Sequence, residues 1–200
     1  MRHFLIMLLI VGALPVSAQK TKQFSFALTN NASAYPYDIF ARYFSEPVHP
    51  GFEIGWHKTL KEKKKHDWFR DVKVGYFYHR FIQHGIPLYL NYGYRYKFSG
   101  SFSADAALGA GYFHSIPATE VLQKDDNGNY TNAKGVGRPQ AIVAFTLGTG
   151  YTFKLKEQPL KVFLHYQVRL QTPFVKSYVP ILPYNQVAFG SVFNFKTGKK

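Results

Sequence analysis

The chain has 200 residues, enough for a single domain, and its 25 Lys and Arg against 11 Asp and Glu give a formal net charge of +14 at pH 7. It contains no cysteine, which excludes a disulfide-bonded scaffold, while 19 Phe, 15 Tyr and 16 Gly favour an all-β chain. In a cytosolic protein, this excess of basic over acidic residues would indicate a nucleic acid as the partner. Here an export signal makes anionic lipid headgroups or glycolipid phosphates the expected partners, with no nucleic acid.

The N-terminus has the pattern of a secretory signal peptide. Arg2 and His3 precede an apolar run from Phe4 to Leu14, and Val16 and Ala18 occupy the small-residue positions of a cleavage site. The run is shorter than the roughly 20 residues of a spanning helix, and no later uncharged segment reaches that length, so a helical membrane protein is excluded. The sequence therefore predicts a cleaved signal peptide over 1–18 and one domain over 19–200.

Beyond this signal, period-two alternation predicts β-strands along the whole chain. The segment Lys20–Ala34 is ambiguous, because it could lengthen the first strand or form an extra one. In chain order, the eight predicted strands are Tyr35–Ser45, Phe52–Leu60, Phe69–Arg80, Pro87–Gly100, Ser101–Phe113, Pro139–Phe153, Leu160–Gln171 and Asn185–Phe195.

The connections between these strands alternate in length. Those expected at one end are short or intermediate: Ser99–Gly100, Lys154–Pro159 and Lys61–Trp68. Those expected at the other end are mostly longer: Glu46–Gly51, Phe81–Ile86, His114–Arg138 and Thr172–Tyr184. An even strand number places both termini at the short-turn end. The lysine-rich run within Lys61–Trp68 is either a solvated turn or a contact for anionic inner-leaflet headgroups or a periplasmic partner.

The fourth predicted strand shows which face points inward. Leu88, Leu90 and Tyr92 alternate with a polar face that carries Asn91 and Arg95. The mid-strand glycines share the polar face in each strand where they occur. Glycine relieves crowding inside a narrow closed barrel, so the polar face is expected inside and the aromatic face against lipid. A soluble lipocalin-type barrel is the competing reading, and it would need an apolar interior.

These features predict an all-β chain that forms a transmembrane up-and-down antiparallel β-barrel of about eight strands. The chain resembles the small eight-stranded outer-membrane β-barrel proteins of Gram-negative bacteria. Its last strand, QVAFGSVFNF, resembles the assembly signal of that class, with Phe193 and Phe195 in the lipid-facing register, although KTGKK follows here. The resemblance implies residence in the cell outer membrane, contact with outer-membrane lipids including lipopolysaccharide, and recognition by the outer-membrane assembly machinery.

The inward register collects charged side chains that must be paired, because unpaired charges are costly in a dry interior. The expected arrangement is a plug of ion pairs and hydrogen bonds, with a conducting pore as the alternative. Asp38 and Arg42 are also expected to point inward. The predicted lumen network consists of Glu53, His57, Lys73, His79, Asn91, Arg95, Asp105, His165 and Arg169.

A catalytic site is the other possibility weighed from the sequence. Some barrels of this class remove acyl chains from lipid A, and His114, Ser115 and Glu120 are the candidate residues here. Neighbouring strand residues point to opposite faces, so His114 and Ser115 cannot pair while extended. The lipid A 3-O-deacylase family spaces its His and Ser two residues apart, and this sequence departs from that pattern.

No metal or cofactor site is predicted either. The stretch Asp125–Tyr130 has the alternating oxygen ligands of a calcium loop, but its glycine comes too early and Val136 occupies the twelfth position. The sequence is most consistent with a non-enzymatic outer-membrane protein that has a packed polar interior, interaction-presenting loops and a possible periplasmic or envelope protein partner. A lipid A-modifying hydrolase is the first alternative, and a narrow pore is the second.

Overall fold

A computed structural model describes residues 21–33, 47–98, 101–125, 128–155, 158–175 and 179–196. The predicted signal peptide over 1–18 lies outside these residues. So do the predicted first strand, Tyr35–Ser45, and the inward positions proposed for Asp38 and Arg42.

The described residues form strands and turns throughout. The strands are β1 (Thr21–Ser33), β2 (Pro50–Glu62), β3 (His66–His79), β4 (Gln83–Lys97), β5 (Phe102–Pro117), β6 (Leu122–Lys124), β7 (Tyr130–Asn132), β8 (Arg138–Phe153), β9 (Leu160–Thr172) and β10 (Leu182–Lys196). Within this part of the chain, no helix has the length and apolarity needed to cross a membrane.

Eight of the strands form one closed antiparallel barrel in the order β1-β10-β9-β8-β5-β4-β3-β2. The first and last strands close it, in a register that runs from Thr21 opposite Lys196 to Ser33 opposite Tyr184. Strands β6 and β7 form a separate hairpin in the connection between β5 and β8. The prediction of an eight-stranded, up-and-down antiparallel barrel is confirmed.

The first strand of the described barrel comes from the segment Lys20–Ala34, whose role was ambiguous in the sequence. The segment left ambiguous in the sequence, Thr21–Ser33, is β1 and pairs with both β2 and β10. The predicted strand Tyr35–Ser45 lies outside the described residues. Alternation alone left the role of Thr21–Ser33 open, because its place in the barrel depends on pairing with a strand at the far end of the sequence, which local patterning does not report.

Two predicted connections are also shorter than expected. Residues 63–65 alone join β2 to β3, and residues 80–82 alone join β3 to β4, so the predicted Phe81–Ile86 loop is wrong. Gly85 read as a turn residue, but it lies inside β4, where a β-carbon would collide with the rings of Phe77 and Phe113. Glycine is needed here because aromatic rings fill the adjacent interior space.

The distribution of side chains between the two faces is that expected of a membrane-spanning barrel. In β4, Leu88 and Tyr92 are 47% and 53% exposed, whereas Asn91 is 2% exposed. The outer wall elsewhere is equally apolar, with exposed Phe26, Ile54 and Leu147. The barrel strands have 13 to 16 residues, more than the 9–11 needed to cross the hydrocarbon layer, so they extend past it.

Inward-facing glycines leave room for large side chains on neighbouring strands. Gly93 is opposite Phe69, and a β-carbon at Gly93 would strike the Phe69 ring. Gly148 is opposite His165, and a β-carbon there would strike the His165 ring. The interior is thus packed by complementary large and small residues, and the polar groups described next occupy most of its volume.

Candidate functional site: the polar interior

The centre of the interior holds an ion pair between Glu53 on β2 and Arg169 on β9. The Nη2 of Arg169 donates to Glu53 Oε1 and also to the hydroxyl of Tyr89, over a distance of 2.8 Å for the second bond. The Tyr89 hydroxyl in turn donates to both Glu53 oxygens at 3.0 Å. Lys73 Nζ lies 3.8 Å from Glu53 Oε2, so one carboxylate serves two cations.

A second cluster lies closer to the end with the short turns. The carboxylate of Asp105 on β5 accepts from Arg95 Nε at 2.8 Å and from Lys161 Nζ at 2.6 Å. His165 Nε2 lies 3.5 Å from the same carboxylate. The Arg95 guanidinium also covers the Phe69 ring, with 4.9 Å from Cζ to the ring centroid. Asp105 therefore holds groups from β4, β5 and β9 together.

Two further pairs complete the polar groups near the short turns. His57 Nδ1 is hydrogen-bonded to Asp71, which is buried beside it. Lys97 Nζ lies 2.8 Å from Asp67 Oδ1. Because β2, β3 and β4 supply these four residues, the pairs link three consecutive strands along the inner face of the wall.

The opposite end of the interior is closed by amides and rings. Gln83 and Gln171 exchange two hydrogen bonds of 2.8 and 3.0 Å, and Ser115 Oγ donates to Gln83. Gln171 Nε2 also donates to Gln140, which donates to the Pro173 carbonyl. Below the amides lies an apolar cluster made of Phe77, Tyr89, Phe113, Ile142 and Tyr184.

Two predicted network residues occupy other surroundings. His79 is buried at the loop end of β3, and its ring stacks on that of His49 with 3.6 Å between centroids and 7° between planes. Asn91 is buried opposite Gly109, where a β-carbon would strike its amide oxygen. All nine predicted network residues therefore lie inside the barrel, but His79 and Asn91 are outside the ion-pair clusters.

The remaining space inside the barrel is small. Two enclosed gaps, one beside Phe77 and His79 and one beside Asp71 and His165, have volumes of about 10 Å³ each. A water molecule needs about 10–15 Å³, so each gap holds one water at most. A vestibule of about 320 Å³ opens at the short-turn end beside Lys97. A concavity of about 690 Å³ lies on the apolar outer wall beside Ala106.

The candidate catalytic residues do not form a catalytic site. Ser115 points inward and is 1% exposed, while His114 points to the outer face of the same strand. The Nδ1 of His114 is bonded to the Tyr112 hydroxyl at 2.8 Å, and its Nε2 donates to the Val136 carbonyl at 3.0 Å. Glu120 is exposed in the loop beyond β5. A base and a nucleophile must be within hydrogen-bond reach, and these two face opposite sides of the wall.

The predicted assembly signal lies at the barrel seam. Phe193 is opposite Phe24 in the pairing of β10 with β1, and the Phe195 ring contacts Phe24 edge-on at 5.8 Å. Both phenylalanines point outward and are 41% and 53% exposed. Among the described residues, no group of three or more His, Asp or Glu side chains could hold a metal ion.

Several interior residues were missing from the predicted network. Asp71 shares the face of Lys73, two positions away, and this parity could have identified it. Tyr89 shares the face of Asn91 for the same reason. Gln83 was assigned to a loop, and no local pattern signals its place in β4.

No protein-family model matches the sequence, and no curated protein matches it. The structure is similar to that of Ail, the attachment invasion locus protein of Yersinia pestis, with 10% identity, 89% of this chain and 100% of that chain covered, and a TM-score of 0.46. It is similar to Neisserial surface protein A, with 9% identity, coverage of 88% and 96%, and a TM-score of 0.47. It is also similar to the outer membrane enzyme PagL, with 11% identity, coverage of 84% and 97%, and a TM-score of 0.43.

Proposed function

We propose that this chain is a non-enzymatic outer-membrane β-barrel protein of a Gram-negative cell envelope, with a packed polar interior and loops that present an interaction surface. The observation that supports it best is the inverted distribution of side chains. An apolar wall with Leu88 and Tyr92 exposed encloses a buried network around Glu53 and Arg169. A soluble barrel would reverse this arrangement.

The loops at the long-connection end supply the interaction surface in this proposal. The hairpin of β6 and β7 lies apart from the barrel sheet and exposes Leu122 and Tyr130 at 62% and 70%, and Val136, between β7 and β8, is 86% exposed. Apolar side chains grouped on an exposed surface are typical of a site that meets a partner. A lipid, lipopolysaccharide or envelope protein is the class of partner that such a surface could meet.

The two alternatives have less support. A hydrolase at His114, Ser115 and Glu120 has no nucleophile–base pair. A pore is opposed by the amide cluster at Gln83 and by enclosed gaps of about 10 Å³. Lipopolysaccharide contact and recognition of the last strand by the assembly machinery belong to the proposal as expectations of the class.

Cell fractionation and surface proteolysis test the proposal. The protein should partition with outer membranes and migrate differently on gels before and after boiling. Trypsin added to intact cells should cleave in the 118–137 loop at Lys124 or Lys134 and leave the barrel intact. Recovery in the soluble periplasmic extract would refute the membrane assignment.

Two measurements address the alternatives. The purified protein should give no ohmic conductance in planar bilayers, because the interior gaps hold no continuous water path. Mass spectra of lipid A should be the same in cells with and without the gene. A steady single-channel current or a lost acyl chain would replace the proposal with the corresponding alternative.

A further inference from the structure

Two cations face each other on the outer wall without an anion. Lys58 on β2 is directly opposite Arg70 on β3, and both side chains point outward and are half-buried. Within the part of the chain that the structure describes, neither side chain forms a hydrogen bond or an ion pair. Like charges directly opposite each other in a sheet are destabilising, so this pair needs a compensating charge.

The surroundings of the pair indicate where that charge resides. Trp56 precedes Lys58 on the outward face of β2, and Trp68 precedes Arg70 on the outward face of β3. The Trp68 ring stacks on Tyr92, which is the cross-strand neighbour of Arg70, at 5.4 Å. Trp and Tyr girdles mark the interface between hydrocarbon and headgroups in membrane barrels. The pair therefore lies at headgroup depth, at the end of the barrel where the short turns are.

The neighbouring turn adds positive charge on the same side. Residues 63–65, all lysines, join β2 to β3 and are exposed. The turn is attached to the end of β4 by a 2.7 Å bond from the Lys97 amide to the Lys65 carbonyl. A lipid with net negative charge is thus attracted to this wall more strongly than a zwitterionic lipid, whose own ammonium group would face the lysines.

We propose that Lys58 and Arg70 form a binding site for the phosphate of an anionic phospholipid, such as phosphatidylglycerol, in the leaflet at the short-turn end. The phosphate lies between the Lys58 ammonium and the Arg70 guanidinium, and its acyl chains follow the outer wall above Trp56. This inference rests on the proposed membrane location. It adds the class of lipid and the residues that bind it.

The two tryptophans of the chain provide the readout, since both flank the site. The folded protein is inserted into phosphatidylcholine vesicles that contain a small fraction of lipid with brominated acyl chains, either phosphatidylglycerol or phosphatidylcholine. Bromine quenches tryptophan at short range, so the ratio of quenching reports the relative affinity of the site. We expect a preference for phosphatidylglycerol of about fivefold for each cation, reduced by high salt.

Matched variants test whether the preference for phosphatidylglycerol arises at Lys58 and Arg70. Lys58→Gln/Arg70→Gln should lose it, whereas Lys124→Gln/Lys134→Gln removes the same charge from the loop end and should retain it. Both variants should keep the boiling-dependent gel shift of the folded barrel.

Each other result has a defined meaning. Absence of quenching by brominated phosphatidylcholine would show that the barrel is not in the bilayer and would refute the proposed function itself. Normal quenching without a phosphatidylglycerol preference, or a preference that survives in Lys58→Gln/Arg70→Gln, would refute the site alone. An equal loss in the control would show an effect of net charge and would also refute it.

Discussion

At the residue scale, the Glu53 carboxylate is the group on which the central cluster depends. It accepts from Arg169 and lies 3.8 Å from Lys73. Glu53→Gln leaves both cations buried without a carboxylate, and we expect it to lower the free energy of unfolding by about 3–5 kcal/mol. Arg169→Gln should lower the free energy of unfolding by less, because Lys73 still compensates the charge of Glu53. Urea unfolding in lipid vesicles, followed by tryptophan fluorescence, measures both values.

The prediction is tested most directly by which of the two substitutions lowers the free energy of unfolding more. The double variant Glu53→Gln/Arg169→Gln should cost less than the sum of the single variants, because it removes together the two charges of the ion pair, each of which a single variant leaves without its partner. Glu62→Gln is the control, since Glu62 is a 78% exposed carboxylate near Lys97 and its loss should change stability by about 0.5 kcal/mol or less. Equal costs for Glu53→Gln and Arg169→Gln would contradict the shared-carboxylate description.

The sequence could predict which residues point inward but could not predict their partners. Period-two alternation places Glu53 and Arg169 inside, because every second residue of a strand shares a face. Their contact crosses the barrel between β2 and β9, so it depends on how all the strands close. The bond between Ser115 and Gln83 could not be predicted for the same reason, and the predicted strands also excluded both residues, since one began at Pro87 and the other ended at Phe113.

At the scale of elements, β10 completes the barrel through pairing with both β1 and β9. A chain that ends at Val192 loses Phe193 and Phe195 and the last pairs with β1. We expect this truncation to be absent from the outer-membrane fraction and to show no boiling-dependent gel shift. A chain that ends at Lys196 keeps every β10 pair and should assemble normally. Normal insertion of the shorter chain would show that the assembly-signal interpretation is wrong.

The hairpin of β6 and β7 should be dispensable for the fold. Its two strands pair only with each other in the sheet arrangement. Replacing residues 119–136 by a short Gly-Ser turn should leave the gel shift and the unfolding midpoint of the barrel unchanged. A lost gel shift would show that the hairpin supports the barrel, and the loop could then not be a free interaction surface.

The strand errors have a physical cause at this scale. The segment Lys20–Ala34 was ambiguous in the sequence, and Thr21–Ser33 is a barrel strand because of its register against β10. Gly85 and Pro87 resemble turn residues, yet both lie in β4 on its inward face. In a narrow barrel these small inward residues make room for rings, so the usual turn signals are misleading there.

At the scale of the whole molecule, the environment of the protein is decided by which face of the strands, apolar or polar, points outward. An apolar wall around a polar interior is stable in lipid, since each backbone group is paired in the closed sheet and the exposed side chains avoid water. In water the same wall would expose Phe26, Ile54 and Leu90 together. The fold and the membrane assignment therefore both depend on a single measurable property, which is the alternation of lipid contact along a strand.

The β4 strand allows that alternation to be measured directly. The chain has no cysteine, so single cysteines can carry spin labels without background. Labels at Leu90, Tyr92 and Tyr94 should be strongly relaxed by oxygen, which dissolves in lipid, and labels at Tyr89 and Asn91, where the native side chains point inward, should not. The reason is that the outward side chains meet hydrocarbon while the inward ones are buried in the packed interior.

A soluble barrel predicts low oxygen accessibility at both sets, with the outward labels relaxed instead by a water-soluble nickel reagent. An open pore predicts nickel relaxation at Tyr89 and Asn91. Oxygen accessibility without a two-residue period would refute the lipid-facing assignment of β4 and, with it, the membrane barrel.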